Sequence, residues 1–158
     1  MAKKRKSAKM PNWLVFVPVL LAVVAVAMMF LVTVKYTGKL LGSEITYTGF
    51  ETIFGYSEKV GSTSTQILGF SFLGLLTVLL PLVGAVLAVS KSKLLKLIGA
   101  VLSLAGTVLF FLMPNFVVFA EGVETIYKAY TASLGVGAII AGVVSALSTL
   151  VIGYELTK

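Results

Sequence analysis

The hydrophobic residues of this chain are grouped into long uncharged stretches that are separated by short charged segments. Strand-like alternation is absent from these stretches, and the ten-residue alternating segments of a membrane β-barrel are missing as well. A hydrocarbon core about 30 Å thick is crossed by roughly 20 helical residues, so each stretch is long enough to span it. The uncharged stretches are 10–34, 60–90, 97–120 and 129–154.

This pattern predicts an all-α integral membrane protein with four transmembrane helices and a partly structured first outer loop. The four spans would form a single transmembrane domain, 14–154, between a basic tail, 1–13, and a short end, 155–158. The expected spans are about 14–34, 67–90, 97–118 and 132–154, and the expected outer loops are about 35–66 and 119–131.

The charges are distributed unevenly between the two sides that this arrangement implies. One side would carry nine basic residues and one Glu, and the other four Lys and five Glu. The positive-inside rule therefore predicts that both termini are cytoplasmic. Apolar sequence continues from Met28 to Val32, past the Ala25-Val26-Ala27 triplet that imitates a cleavage site. We therefore expect an uncleaved signal anchor rather than a cleaved signal peptide.

The composition excludes several chemistries. The chain is 58% hydrophobic and only 12% charged, and it contains no Cys, His or Asp. Thiolate and imidazole metal sites, disulfides and Ser-His-Asp triads are therefore excluded, and no phosphate-cradling glycine loop is recognisable. No ionisable residue lies inside a predicted span, which argues against a pump or a proton-coupled transporter. We expect a non-enzymatic protein without cofactor or metal.

Small residues recur every four positions in the fourth predicted span. Such a face lets another helix approach closely, either within the chain or from a partner. The candidate helix-packing or interaction residues are Gly137, Ala141, Gly142, Ser145 and Thr149.

The outer loops have local patterns of their own. Residues 45–48 alternate like a short strand, and the next residues have the spacing of a short amphipathic helix. The segment 60–65 is typical of a polar linker, and 119–131 is predicted to be helical as an extension of the fourth span. Glu44, Glu51 and Glu58 are either solvated charges or a weak outer cation site. The candidate outer-loop interaction residues are Phe50, Glu51, Phe54, Tyr56, Glu124 and Tyr127.

A basic cluster precedes the first predicted span. Such a cluster is a topology determinant, and it also attracts anionic lipid headgroups. The tail is short and has no aromatic platform, so no nucleic-acid partner is expected. The candidate headgroup-binding residues are Lys3, Lys4, Arg5 and Lys6.

The layout, with a longer first outer loop and a shorter second one, resembles tetraspan proteins of the claudin kind. The Trp and Cys residues of the claudin first-loop pattern are absent here, so no function is transferred. The composition resembles that of small membrane proteins of Gram-positive bacteria. We expect an accessory subunit, assembly factor or scaffold in a bacterial cytoplasmic membrane, whose partners are lipids and another membrane protein or a second copy. The alternative is a homo-oligomeric channel or facilitator for ions or small solutes.

Overall fold

The computed structural model describes residues 12–39 and 42–157 and shows a mixed α/β protein. It is 63% helical and 20% strand, with two antiparallel sheets. The prediction of an all-α protein with four transmembrane helices is therefore wrong. Both predicted outer loops contribute strands, because their backbone groups pair with one another. The basic residues Lys3, Lys4, Arg5 and Lys6 lie outside the described residues.

Three helical segments in the described part of the chain are long and apolar enough to cross a membrane. The first, Trp13–Phe30, joins helix α1, Val17–Ala27, to the short 3-10 turns on either side of it. The others are α4, Lys93–Phe111, and α6, Val136–Leu156. Helix α3, Phe72–Ala88, is also apolar but has only 17 residues.

The apolar helices pack side by side, with α3 against α4, α4 against α6, and α1 against both α6 and α3. Helices α3 and α4 approach most closely at Gly84 and Gly99. A Cβ atom added to Gly99 would lie 2.5 Å from the Gly84 carbonyl oxygen, and one on Gly84 would lie 2.6 Å from the Gly99 carbonyl oxygen. Any side chain at these positions would therefore push the two helices apart.

Buried hydroxyl groups connect α4 to α6. Thr107 donates to the Ser145 hydroxyl over 2.9 Å, and Thr149 donates to the Ser103 hydroxyl over the same distance. These residues follow helical spacing on both helices, so the polar groups satisfy one another along one seam. The seam fixes the axial register of the antiparallel pair.

Five strands form beyond one end of the helices. A three-stranded sheet has the order β2-β1-β5, and a two-stranded sheet pairs β3 with β4. Their bounds are β1, Val32–Gly38; β2, Glu44–Thr48; β3, Tyr56–Val60; β4, Thr63–Leu68; and β5, Tyr130–Leu134.

Two short helices lie between the strands. Helix α2, Gly49–Phe54, begins with a capping box, in which Thr48 accepts from the Glu51 backbone N–H and Glu51 accepts from the Thr48 backbone N–H. Helix α5 comprises only Glu124–Tyr127. The short strand and the short helix predicted in the first loop are thus confirmed.

Other local predictions in the loops are wrong. The expected polar linker, 60–65, is part of the β3–β4 hairpin, because Ser and Thr residues accept an extended conformation and the turn is made by Gly61 with φ of 66°. Ser71, rather than an earlier Ser or Thr, caps α3. The second loop is not an extension of α6, since residues 130–134 pair with β1 as strand β5.

We expect the substitution Gly99→Ala to destabilise the fold by about 1–3 kcal/mol, the usual cost of overpacking a close contact. The matched control is Gly153→Ala, because a Cβ there meets no described atom within 4 Å. The control should be neutral or stabilising, since Ala favours helix. Thermal unfolding in mild detergent measures both, and equal midpoints for the two variants would contradict the close contact.

Candidate interaction surface

The described residues of 32–71 and 117–135 form one unit at the strand end of the molecule, which we call the head. Strand β1 pairs with β2 on one side and with β5 on the other, so the two loops share a sheet. A second connection joins β4 to the segment after α4: the Gly69 N–H donates to the Val118 carbonyl over 2.8 Å, and the Ala120 N–H donates to the Ile67 carbonyl over 3.0 Å. The head is therefore held by backbone hydrogen bonds from both loops.

A cluster of aromatic side chains fills the interior of the head. The hydroxyls of Tyr47 and Tyr127, 80 residues apart in sequence, are hydrogen-bonded to each other. The buried Tyr36 ring lies with its centroid 5.1 Å from that of Tyr127 and 5.6 Å from that of Phe119, both in edge-on geometry. Edge-to-face pairs of this kind add stabilisation beyond area burial.

The environment of the cluster disfavours tyrosinate. Burial, and to a smaller degree the neighbouring Tyr127, raises the pKa of Tyr36 to about 12. Burial also raises the pKa of Tyr47, and its hydrogen bond with Tyr127 adds to the effect. Both hydroxyls therefore stay neutral across the physiological range.

The predicted outer-loop residues are divided between structural and exposed positions. Glu51 caps α2 through its Oε2 atom, 2.8 Å from the Thr48 backbone nitrogen, and so has a structural role. Tyr56 packs on Tyr47 with ring centroids 5.7 Å apart. Phe50 and Phe54 stack with centroids 6.2 Å apart, and Phe54 is exposed.

Glu124 and Tyr127 border an open cavity of about 500 Å³ on the second loop. The Glu124 carboxylate lies 4.0 Å from the Lys128 ammonium, and both side chains are 70% exposed. An exposed pair of this kind contributes little to stability. The two repeated Glu-Thr-Ile strings start different structures, since α2 leads into the β3–β4 hairpin and α5 into β5.

The predicted small-residue face of α6 lies in contacts within the chain. Gly137 lies against α1, because a Cβ there would be 2.7 Å from the Met28 carbonyl oxygen, and Gly142 lies against the Phe111 ring. Ala141 and Ser145 are buried, and Thr149 is half-buried. The described structure shows these residues packing α6 against the chain's own helices.

Strand β5 carries a feature that the sequence analysis missed. The Lys39 N–H donates to the Ala129 carbonyl and the Gly135 N–H donates to the Thr33 carbonyl, in the same register as the β1–β5 ladder. Hydrogen-bonded pairs alternate along an antiparallel ladder, so Thr131 and Ser133 bond to β1. The backbone groups of Ala132 consequently face away from β1, at the open edge of the sheet.

A buried ion pair connects α4 to α6 at the end of the helices opposite the head. The Lys96 ammonium lies 2.8 Å from Glu155 Oε2, and the Glu155 side chain is only 4% exposed. Its other oxygen, Oε1, has no hydrogen-bond partner among the described residues. Each charge is compensated mainly by the other, which makes the pair sensitive to loss of either member.

The comparisons with known proteins show no relationship: no family model matches the chain, and no curated protein or solved structure matches it. Within the described residues, no group of three or more acidic side chains is placed to hold a metal ion.

We expect alkaline pH to unfold the head before the helices. Because the pKa of Tyr36 is raised in the folded state, its contribution to stability is complete below its ordinary value of 10.0 and is lost as the pH rises through about 12. Tyrosinate absorbance, followed together with circular dichroism, measures this transition. The Tyr36→Phe variant should unfold at higher pH than the wild type, and an identical transition in both would contradict the assignment.

Replacing Lys96 by Met should destabilise the protein by about 3–5 kcal/mol, because it leaves the Glu155 carboxylate buried without a counter-charge. The double variant Lys96→Met, Glu155→Leu should recover most of the loss. The free energy of unfolding in mixed micelles measures both. A single variant as stable as the wild type would show that the pair has no structural weight.

Proposed function

We propose that this protein is a non-enzymatic membrane scaffold or accessory subunit that docks another protein along the open edge of strand β5. The observation that carries the proposal is the outward-facing backbone of Ala132 in an edge strand without charge or proline. Natural sheets usually protect such edges by charges, prolines, bulges or covering elements. An extended segment of a partner would complete the ladder through main-chain hydrogen bonds.

The rigidity of the head supports this proposal. Backbone pairing from both loops and the Tyr47–Tyr127 hydrogen bond hold β5 in place before any partner arrives. A preordered edge loses little conformational entropy on binding. The exposed Phe30 and Phe54 side chains, together with Phe50, lie where the head meets the helices, as expected of an amphipathic surface at a membrane interface.

The channel alternative has less support in the contacts of the helices. The hydroxyls that would line a pore are mostly consumed inside the chain: Ser148 donates to the Pro18 carbonyl, and Thr77 donates to the Leu73 carbonyl. We further propose residence in a bacterial cytoplasmic membrane, supported by the three membrane-compatible helices and the basic composition.

The substitution Ala132→Pro tests the docking edge, because it removes an outward N–H without removing a bond to β1. We expect a specific chain that is cross-linked to β5 in native membranes to be lost, with an unchanged thermal midpoint. Ala132→Ser keeps the N–H and should retain the partner. Ser133→Pro, which breaks the ladder to β1, should lower the midpoint. Equal cross-linking in the Pro and Ser variants at position 132 would refute the proposal.

A further inference from the structure

An open apolar groove runs along the outer side of the contact between α4 and α6. Its volume is about 450 Å³, and its walls come from two of the three helices that are long enough to cross a membrane. The groove ends beside polar groups at the last turn of α6. The lining residues on which the argument depends are Ala100, Leu104, Leu150, Gly153, Tyr154 and Thr157.

Gly153 has no role in the packing or backbone conformation of the described structure. A Cβ at this position meets no described atom within 4 Å, and Gly153 is not among the glycines with positive φ. Gly137, on the same helix, is required because a side chain there would collide with the α1 backbone. A helical Gly without such a reason costs about 1 kcal/mol relative to Ala. What its missing side chain provides is the open space of the groove.

The register of the two helices places a lysine at the polar end of the groove. Lys96 faces Glu155 and Ser103 faces Thr149, so Lys93 lies level with the end of α6. Lys93 is also seven residues before Ala100, which puts both on the same side of α4. Its side chain is exposed and forms no ion pair with any described residue, whereas Lys96 is engaged by Glu155.

We propose that this groove holds an acyl chain of an anionic glycerophospholipid, with the lipid phosphate against Lys93. The occupant follows from the two ends of the site. Bilayer chains are as apolar as the lining, so the groove adds van der Waals contact but little headgroup preference. The preference comes from the positive charge of Lys93 and from the N-terminal end of α4, whose partial positive charge also favours an anion.

The test uses native mass spectrometry of the full chain, purified in micelles with equal amounts of phosphatidylglycerol and phosphatidylcholine. The wild type should retain one phosphatidylglycerol with about fivefold preference, the size expected of one lysine near an anionic headgroup. Lys93→Gln should keep a bound lipid but lose the preference. Unchanged preference in Lys93→Gln would overturn the proposed headgroup contact.

The groove itself is tested by filling it. Gly153→Leu should lose lipid retention, whereas Gly153→Ala and the matched surface variant Ala27→Leu should retain it. Retention by Gly153→Leu at the wild-type level would overturn the proposal. A dimer that disappears in Gly153→Leu, without bound lipid in the wild type, would also overturn it in favour of a helix partner.

A second measurement applies even if Gly153→Leu fails to fold. The chain has a single Trp, so a Trp13→Phe background allows one reporter at Leu104 in the groove or at the exposed Val143 outside it. Brominated phosphatidylglycerol should quench the Leu104→Trp reporter more than brominated phosphatidylcholine does, with no such difference for Val143→Trp. Equal quenching by both lipids at both positions would overturn the proposal.

Discussion

The close backbone contact between the start of α6 and the junction of α1 with β1 is the constraint on which the rest of the structure depends. Gly135 donates its N–H to the Thr33 carbonyl over 2.8 Å, and Gly137 leaves room for the Met28 carbonyl. This contact brings β5 into register with β1 immediately before α6 begins. The helices and the sheet are thereby built from the same two chain segments, so neither can shift without the other.

The apolar helices could be predicted from sequence because their signal is local and long, whereas the sheet could not. Strand β2 alternates within a few residues, and its prediction is confirmed. Strand β5 reads Tyr130-Thr-Ala-Ser-Leu134 without clear alternation, and its identity comes from pairing with β1, almost 100 residues earlier. Pairing between distant segments overrides weak local preference, which is why the second loop is not helical.

The same distinction applies to the candidate site. The spacing of Phe50 and Phe54 predicts their short helix, but it does not reveal that Glu51 is occupied as a cap. No local pattern joins Tyr47 to Tyr127, since their hydrogen bond exists only after both loops have assembled. Edge exposure is likewise a property of the finished sheet: Ala132 faces outward because the ladder parity assigns Thr131 and Ser133 to β1.

The two ends of the molecule solve the problem of buried polarity differently. In the head, the aromatic hydroxyls remain neutral and pair with one another, so burial costs little. At the opposite end, Lys96 lies in the first turn of α4 and Glu155 in the last turn of α6, and each charge opposes its helix dipole. Their mutual contact must offset both that effect and desolvation, which ties the ends of α4 and α6 together and leaves Lys93 as the exposed charge beside the groove.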